Sequence, residues 1–415
     1  MKNKIATLRR SEMVNGVLTL IIGSAFSFGI PIIISPILTR IYEPTSFGKF
    51  SVFTACCSIL SVFSTARYDL SIIEPRDEGD ACNIVRLCLV IVAVFSLVLL
   101  LMLSLLFVVF KSRAEGAGLG LWVLLIPVFV FLNTCQTVFL YWMNRRKDYK
   151  EMSLTRIVNN GGNVAFASMM GYAGVNSGLI LGSLVGQVMV FALIWRRVLD
   201  FVRSFDYRQI VHLAVKYRRY PQYLLPATLA CEIATHVPLV VLTWGFDSTV
   251  SGYLALANRT AAVPVTLFGN SIGEVYRQRA FEDHNTRGNC RQIYLKTLGL
   301  LAVIGAIPSL SLMFFGPSIF VFAFGKEWEI AGEMASAISP MLFFNFMSTP
   351  LANTIALNRS QKSDMLLQIL RMVLAVSAIL VGWWKSDYMF GIALYSGAYS
   401  LYYIAHSLIQ YRAAN

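Results

Sequence analysis

The chain of 415 residues is 56% hydrophobic and only 14% charged, against roughly 25% charged residues in an average soluble chain, which excludes a disordered polymer and argues against a soluble globular enzyme. Its net charge of +13 would suit a nucleic-acid binder only as a basic face on a soluble domain, and the apolar runs leave no room for one. A bilayer-spanning helix takes about 20 apolar residues, so the length accommodates about a dozen.

In chain order, the long uncharged runs predict helices over 14–38, 48–65, 87–110, 119–143, 153–172, 177–195, 222–244, 249–271, 297–324, 334–357, 365–384 and 388–410. The first run is too long for a signal-peptide core and no small-residue cleavage site follows, so it reads as the first membrane helix. With the N-terminus on the cytosolic side, the cytosolic segments carry 28 of the 35 Lys and Arg and the outer segments carry 6. Arg359, Lys362 and Arg371 count with the cytosolic group, and Arg259 is counted with neither group, as a charge within a helix. This positive-inside bias places both termini in the cytosol and turns the basic excess into an orientation signal facing anionic lipid.

The longest interruption, residues 196–221, divides the helices into six and six. It reads as a basic amphipathic segment, with Ile210, Leu213, Ala214 and Tyr217 at helical spacing among Arg208, Lys216, Arg218 and Arg219. The predicted organisation is therefore an N-lobe over 1–195, a cytosolic linker over 196–221 and a C-lobe over 222–415. The lobes echo each other: IYEPTSFGKFSV (41–52) aligns with GFDSTVSGYLAL (245–256), pairing Tyr42 with Phe246, Glu43 with Asp247, Thr45 with Thr249 and Gly48 with Gly252. The helix before each match carries two prolines, Pro31 and Pro36, then Pro226 and Pro238. An even number of helices per lobe gives both repeats one orientation, related by a pseudo-two-fold along the membrane normal. The fold class is thus an all-α integral membrane protein with the layout of a two-lobe transporter. Proline removes a backbone bond and bends its helix, and the freed carbonyl must find protein or cavity water, so the matched proline helices are candidate cavity-lining elements.

Arg259 lies near the predicted midplane, where insertion scales put an arginine at roughly 2.5–3.5 kcal/mol. It reads as a cation facing an internal aqueous cavity and binding an anionic group, with a buried ion pair to Glu232 as the competing structural role. Glu232 and His236 are one helical turn apart on one face and form a candidate proton or sodium coupling pair; the plainer reading has them orienting Arg259. Amides populate the N-terminal half: Asn133 and Gln136, then Asn159, Asn160 and Asn163, then Gln187. They suit a path for sugar hydroxyls, and bonding between helices competes with that role. Gly178, Gly182 and Gly186 form a small-residue packing stripe. At the predicted inner side Arg67 and Asp69 end the second helix and Arg277 and Arg279 follow the eighth, where most such charges are ordinary solvated loop residues. The seven cysteines and four histidines show neither a disulfide framework nor metal-ligand spacing. No G-x-x-x-x-G-K-[ST] phosphate loop is present, which argues against ATP hydrolysis by this chain, and no cofactor is expected beyond a coupling Na+ or H+.

TRIYEPTSFGKFSVF, ARYDLSIIEPRDEGDA, LYWMNRRKDYKEMSLTR, LANRTAAVPVTLFGNSIGEVYRQRA and FGKEWEIAG, in helix order, resemble the polysaccharide-export branch of the multidrug/oligosaccharidyl-lipid/polysaccharide superfamily, and in it Wzx-type O-antigen flippases. The resemblance implies a bacterial inner-membrane protein whose two lobes surround a cavity opening alternately to each side. It further implies an undecaprenyl-pyrophosphate-linked oligosaccharide as cargo, with membrane lipids and other polysaccharide assembly proteins as partners. On this reading the pyrophosphate passes Arg67 and Arg277 to reach Arg259, while Asn133, Gln136 and Asn163 face the sugars. Unlike the drug-antiporter branch, residues 14–38 contain no acid, which leaves Glu232 and His236 as the coupling candidates. The rival functions are an ion-coupled multidrug exporter on the same fold and a membrane glycan polymerase.

Overall fold

The computed structural model describes residues 29–109, 121–203, 207–269, parts of 272–283, 289–352, 354 and 361–414. The first half of the predicted 14–38 helix, the cytosolic cluster Lys2 to Arg10 and the outer charges Lys111 and Arg113 lie outside these residues. Among the described residues all regular structure is helical. In chain order we name α1 (Gly29–Ile41), α2 (Pro44–Ser64), α3 (Glu78–Val109), α4 (Ile126–Arg146), α5 (Tyr149–Tyr172), α6 (Gly178–Arg203), α7 (Tyr207–Lys216), α8 (Leu225–Gly245), α9 (Ser248–Pro264), α10 (Arg291–Phe324), α11 (Glu329–Ser348), α12 (Gln361–Trp384) and α13 (Tyr388–Ala413). Each of the twelve predicted segments overlaps one of these, and α7 is the additional amphipathic helix. By length and composition, eight described helices can cross a bilayer, so the chain is a multi-pass membrane protein, although the described residues do not reproduce a count of twelve apolar spans.

Contacts divide the chain into two compact units: residues 56–225 with those up to 34, and residues 35–55 with 226–415. The dividing point within α2 differs from the predicted lobe boundary, because the first turns of α2 pack with the later helices.

In the first unit, Ile84, Val85 and Cys88 of α3 pack with Phe139 and Trp142 of α4, Ile194 of α6 and Leu213 of α7. The predicted linker is therefore partly structure of this unit. Residues 196–203 are the last turns of α6, and α7 is docked by Tyr68 Oη donating to the Ala214 carbonyl (3.0 Å) and Asn83 Nδ2 donating to Gln209 Oε1 (2.6 Å). Its Ile210 and Leu213 are buried, while Val211 and Val215 stay exposed on the other side, as an interfacial helix requires. The predicted glycine stripe is a close crossing of α6 on α5. A Cβ on Gly182 would stand 2.7 Å from the Asn163 carbonyl, and one on Gly186 would stand 2.5 Å from the Asn159 carbonyl. Arg145 has a local task as well. Its Nη1 donates to the carbonyls of Ile72 (3.2 Å), Ile73 (3.3 Å) and Pro75 (2.6 Å), and its Nη2 to that of Asp77 (3.2 Å), which fixes the turn before α3.

In the second unit the sequence repeat becomes a physical contact. Thr45 Oγ1 donates to Glu43 Oε2 (3.4 Å), and the matched Thr249 Oγ1 donates to Asp247 Oδ2 (2.6 Å). Asp247 Oδ1 also accepts from the Ser248 N–H (2.6 Å), capping α9; the Thr249 hydroxyl, outweighing partial desolvation, holds this carboxyl below its ordinary pKa. The helix starts then cross at the paired glycines. A Cβ on Gly48 would fall 1.7 Å from the Ser248 carbonyl oxygen, and one on Gly252 would fall 2.0 Å from the Pro44 carbonyl oxygen. Pro44 and Ser248 occupy equivalent places in the repeat, so the contact is reciprocal, each glycine receiving the other helix's first carbonyl. The Trp328 indole N–H donates to the Thr39 carbonyl (3.1 Å), and the Trp328 ring meets Phe47 edge-on (5.0 Å), which secures the start of α2 in this unit.

Because the obstacle at each glycine is rigid backbone, Gly48→Ala and Gly252→Ala should each lower the thermal midpoint of the purified protein. The double variant should cost less than the sum of the two, since both act on one crossing. Midpoints that stay at the wild-type value would show that the crossing is loose.

Candidate functional site

A cavity of about 370 Å³ lies inside the second unit, lined by the start of α2 and by α8, α9, α11, α12 and α13. The charge-bearing side chains among its described lining residues are Arg259, Arg371 and His236, and none of those lining residues is Asp or Glu.

Each of the three is placed by a local rule. Arg259 sits in the fourth turn of α9, behind the Asp247 cap and before Pro264. Pro264 has no N–H for the carbonyl four residues earlier, and α9 gives way to a π-helical turn over Val265–Gly269, a distortion often found at functional sites. Val265 itself lines the cavity.

Arg371 belongs to α12, ten residues into that helix. Its Nη2 donates to Thr235 Oγ1 (3.3 Å) and its Nη1 to Cys231 Sγ (3.6 Å). Thr235 donates its own hydroxyl hydrogen to the Cys231 carbonyl (2.9 Å), which leaves its oxygen free to accept. The guanidinium carbon stands 5.2 Å from the centre of the Tyr399 ring, a cation–π arrangement, and Tyr399 Oη ties α13 to α8 through the Ala234 carbonyl (3.0 Å). The Nε of Arg371 is buried without a hydrogen-bond partner, and the described residues contain no ion pair to this arginine.

Glu232 and His236 form the predicted pair, with His236 Nε2 3.2 Å from Glu232 Oε2. His236 reaches the cavity wall, and its Nδ1 is buried without a hydrogen-bond partner. Cys231 and Thr235 thus hold Arg371 from one pair of adjacent turns of α8, while Glu232 and His236 occupy the neighbouring positions of the same turns.

The remaining predicted residues lie elsewhere. Arg67 opens a short 3-10 turn in the first unit with a left-handed backbone (φ 63°). Its Nη1 is 3.6 Å from Asp69 Oδ2, and Asp69 Oδ1 also accepts from Thr65 Oγ1 (2.8 Å). Arg277 is exposed in the second unit, and neither Arg67 nor Arg277 lines the cavity. The amides belong to the first unit and bond across its helices. Asn133 Nδ2 donates to Ser61 Oγ (3.3 Å), Gln187 Nε2 to Asn133 Oδ1 (3.2 Å) and Asn159 Nδ2 to Gln136 Oε1 (3.1 Å). Asn163 sits half-buried on α5 where its carbonyl meets Gly182.

Arg371 is the residue that sequence reasoning missed. Counting it with the cytosolic charges placed it at a helix end, whereas the structure sets it within α12 against the cavity. The signal was present, since residue 371 falls inside the predicted 365–384 span and is, like Arg259, a charge in an apolar run.

Residues 37–332 match the model of a family described as polysaccharide biosynthesis protein. Among solved structures, the chain is similar to the lipid II flippase MurJ in an inward closed conformation, with 13% identity, a TM-score of 0.72 and coverage of 95% of this chain and 87% of that one. It is also similar to an inward-facing multidrug resistance MATE family transporter of the MOP superfamily, with 15% identity, a TM-score of 0.63 and coverage of 94% and 93%. A third is a MOP superfamily transporter from Pyrococcus furiosus described as having reversed binding-pocket polarity, with 15% identity, a TM-score of 0.56 and coverage of 95% and 94%. At these identities the likeness shows a shared fold. A search of curated proteins by sequence found no match.

If the amides serve helix packing, Asn133→Ala and Gln136→Ala should lower the thermal midpoint, each by roughly 0.5–1 kcal/mol in stability, while surface glycan stays near wild type. Loss of glycan from a fully stable variant would instead put the amides in the transport path.

Proposed function

The chain belongs to the polysaccharide biosynthesis protein family, and on that premise we propose that it is an alternating-access flippase for an undecaprenyl-pyrophosphate-linked oligosaccharide, an O-antigen or similar repeat unit. Cargo moves from the cytoplasmic to the outer leaflet of a bacterial inner membrane, with both termini cytoplasmic as the Lys and Arg distribution indicates. The observation that carries this reading is a cavity whose described lining holds two arginines and a histidine but no carboxylate. Such a site attracts anions, and guanidinium groups meet phosphate oxygens through paired charge-assisted hydrogen bonds.

Arg259 engages the pyrophosphate inside the second unit, Arg67 and Arg277 serve its approach, and the polyprenyl tail stays in lipid. An inside-negative potential contributes about 2.3 kcal/mol per unit charge per 100 mV over the full field, which favours outward passage of an anion. The multidrug-exporter alternative fits less well, because a cationic drug calls for acids in the cavity wall. A glycan polymerase finds no support in the transporter fold shared with the solved structures.

Arg259→Ala should abolish surface polysaccharide at unchanged protein level, and Arg259→Lys should be partial because a point charge lacks the planar fork. Normal polysaccharide in both variants would remove Arg259 from the mechanism.

Glu232 and His236 complete the proposal as the ion-coupling pair. A carboxylate and an imidazole stand 3.2 Å apart, one of them on the cavity wall, which puts the pair beside the anion it would couple to. In proteoliposomes, Glu232→Gln should make flipping indifferent to an imposed pH or sodium gradient. Undiminished gradient dependence would assign the pair a purely structural role.

A further inference from the structure

We infer that Arg371 is a second anion anchor, which makes the cavity selective for a prenyl diphosphate over a prenyl monophosphate; this rests on the flippase reading above. The inference starts from an imbalance of charge. A guanidinium inside an apolar helix is costly to bury without a counter-charge, and Arg371 has only neutral company. Its two hydrogen-bond acceptors are a hydroxyl and a thiol, its third contact is the face of a tyrosine ring, and its Nε is buried with no partner. Those contacts hold the side chain in one orientation without neutralising it.

Holding an arginine by neutral groups preserves its charge for a ligand. A carboxylate partner would have cancelled the attraction; among the described residues none pairs with Arg371, and Glu232, next to Cys231 on α8, is turned to His236. Arg371 and Arg259 line the same cavity of about 370 Å³, and His236 adds a polar edge. Two cations lining one cavity suit an anion that presents two charged groups. A monophosphate presents one charged group to the two guanidiniums, whereas a diphosphate presents two.

The contacts also give Arg371 a ready exchange. Weak acceptors such as a thiol and a shared hydroxyl oxygen are readily displaced by phosphate oxygens, which form stronger charge-assisted bonds. Because Cys231 and Thr235 flank Glu232 on α8, release of Arg371 from them would be felt next to the Glu232–His236 pair, which ties the anchor to the helix proposed to couple ions.

The test uses the full-length protein in lipid nanodiscs, with farnesyl diphosphate and farnesyl monophosphate as probes. The wild type should bind the diphosphate about tenfold or more tightly than the monophosphate. Arg371→Gln should bring the diphosphate close to the monophosphate while shifting the monophosphate itself by no more than about twofold. Thr235→Val, which keeps the charge but removes its support, should lose part of the preference and covers the case in which Arg371→Gln does not fold. An undiminished preference in either folded variant overturns the inference, as does an equal weakening of both probes, the mark of a general packing defect. Should the wild type bind neither probe, the flippase reading fails and takes this inference with it. Tight binding of both probes with a ratio indifferent to residue 371 sinks the inference alone.

Discussion

An arginine inside a membrane helix has to be wetted, paired or matched to a ligand, and this chain places two of them in one cavity. Around Arg259 and Arg371 the described wall offers hydroxyls, amides, aromatic rings and one histidine, but no acid. The rest of the second unit can be understood as what makes that arrangement tolerable. The start of α9 is fixed by the Asp247 cap, its end is loosened by Pro264 and the π-helical turn, and the polar face of α8 receives Arg371.

Helix packing in lipid gains nothing from burying apolar surface against other apolar surface, so close contacts depend on small residues and interhelical hydrogen bonds. Both devices appear in matched and unmatched form. Gly48 and Gly252 are equivalent in the internal repeat and meet each other's helix starts reciprocally. The repeat is thus visible both as sequence similarity and as a contact with local two-fold character. Gly182 and Gly186 perform an unrelated crossing in the first unit, and the amides Asn133, Gln136, Asn159 and Gln187 connect α2, α4, α5 and α6 there.

Much of the fold was readable from residue order because hydrocarbon leaves the backbone few choices. The run of apolar segments, the helix within the amphipathic 196–221 stretch, the glycine stripe and the Glu232–His236 spacing all correspond to observed elements. Less readable was anything that depends on which helix faces which. The amides of α4 and α5 are chemically suited to sugar hydroxyls, yet here they meet one another. Arg371 counts in the sequence with the cytosolic charges Arg359 and Lys362, whereas the structure sets it within α12 at the cavity wall. The first turns of α2 pack with the second unit through Gly48 and Trp328, a long-range contact that no boundary drawn from hydropathy anticipates.

The central claim is that the cavity of the second unit receives an anion between its guanidinium groups. A single-particle map of the full-length protein in nanodiscs with a short-chain prenyl diphosphate sugar would address it most directly. Density for the diphosphate in contact with both Arg259 and Arg371 is the expected result. A cavity left empty, with the ligand resolved elsewhere on the protein, would contradict it.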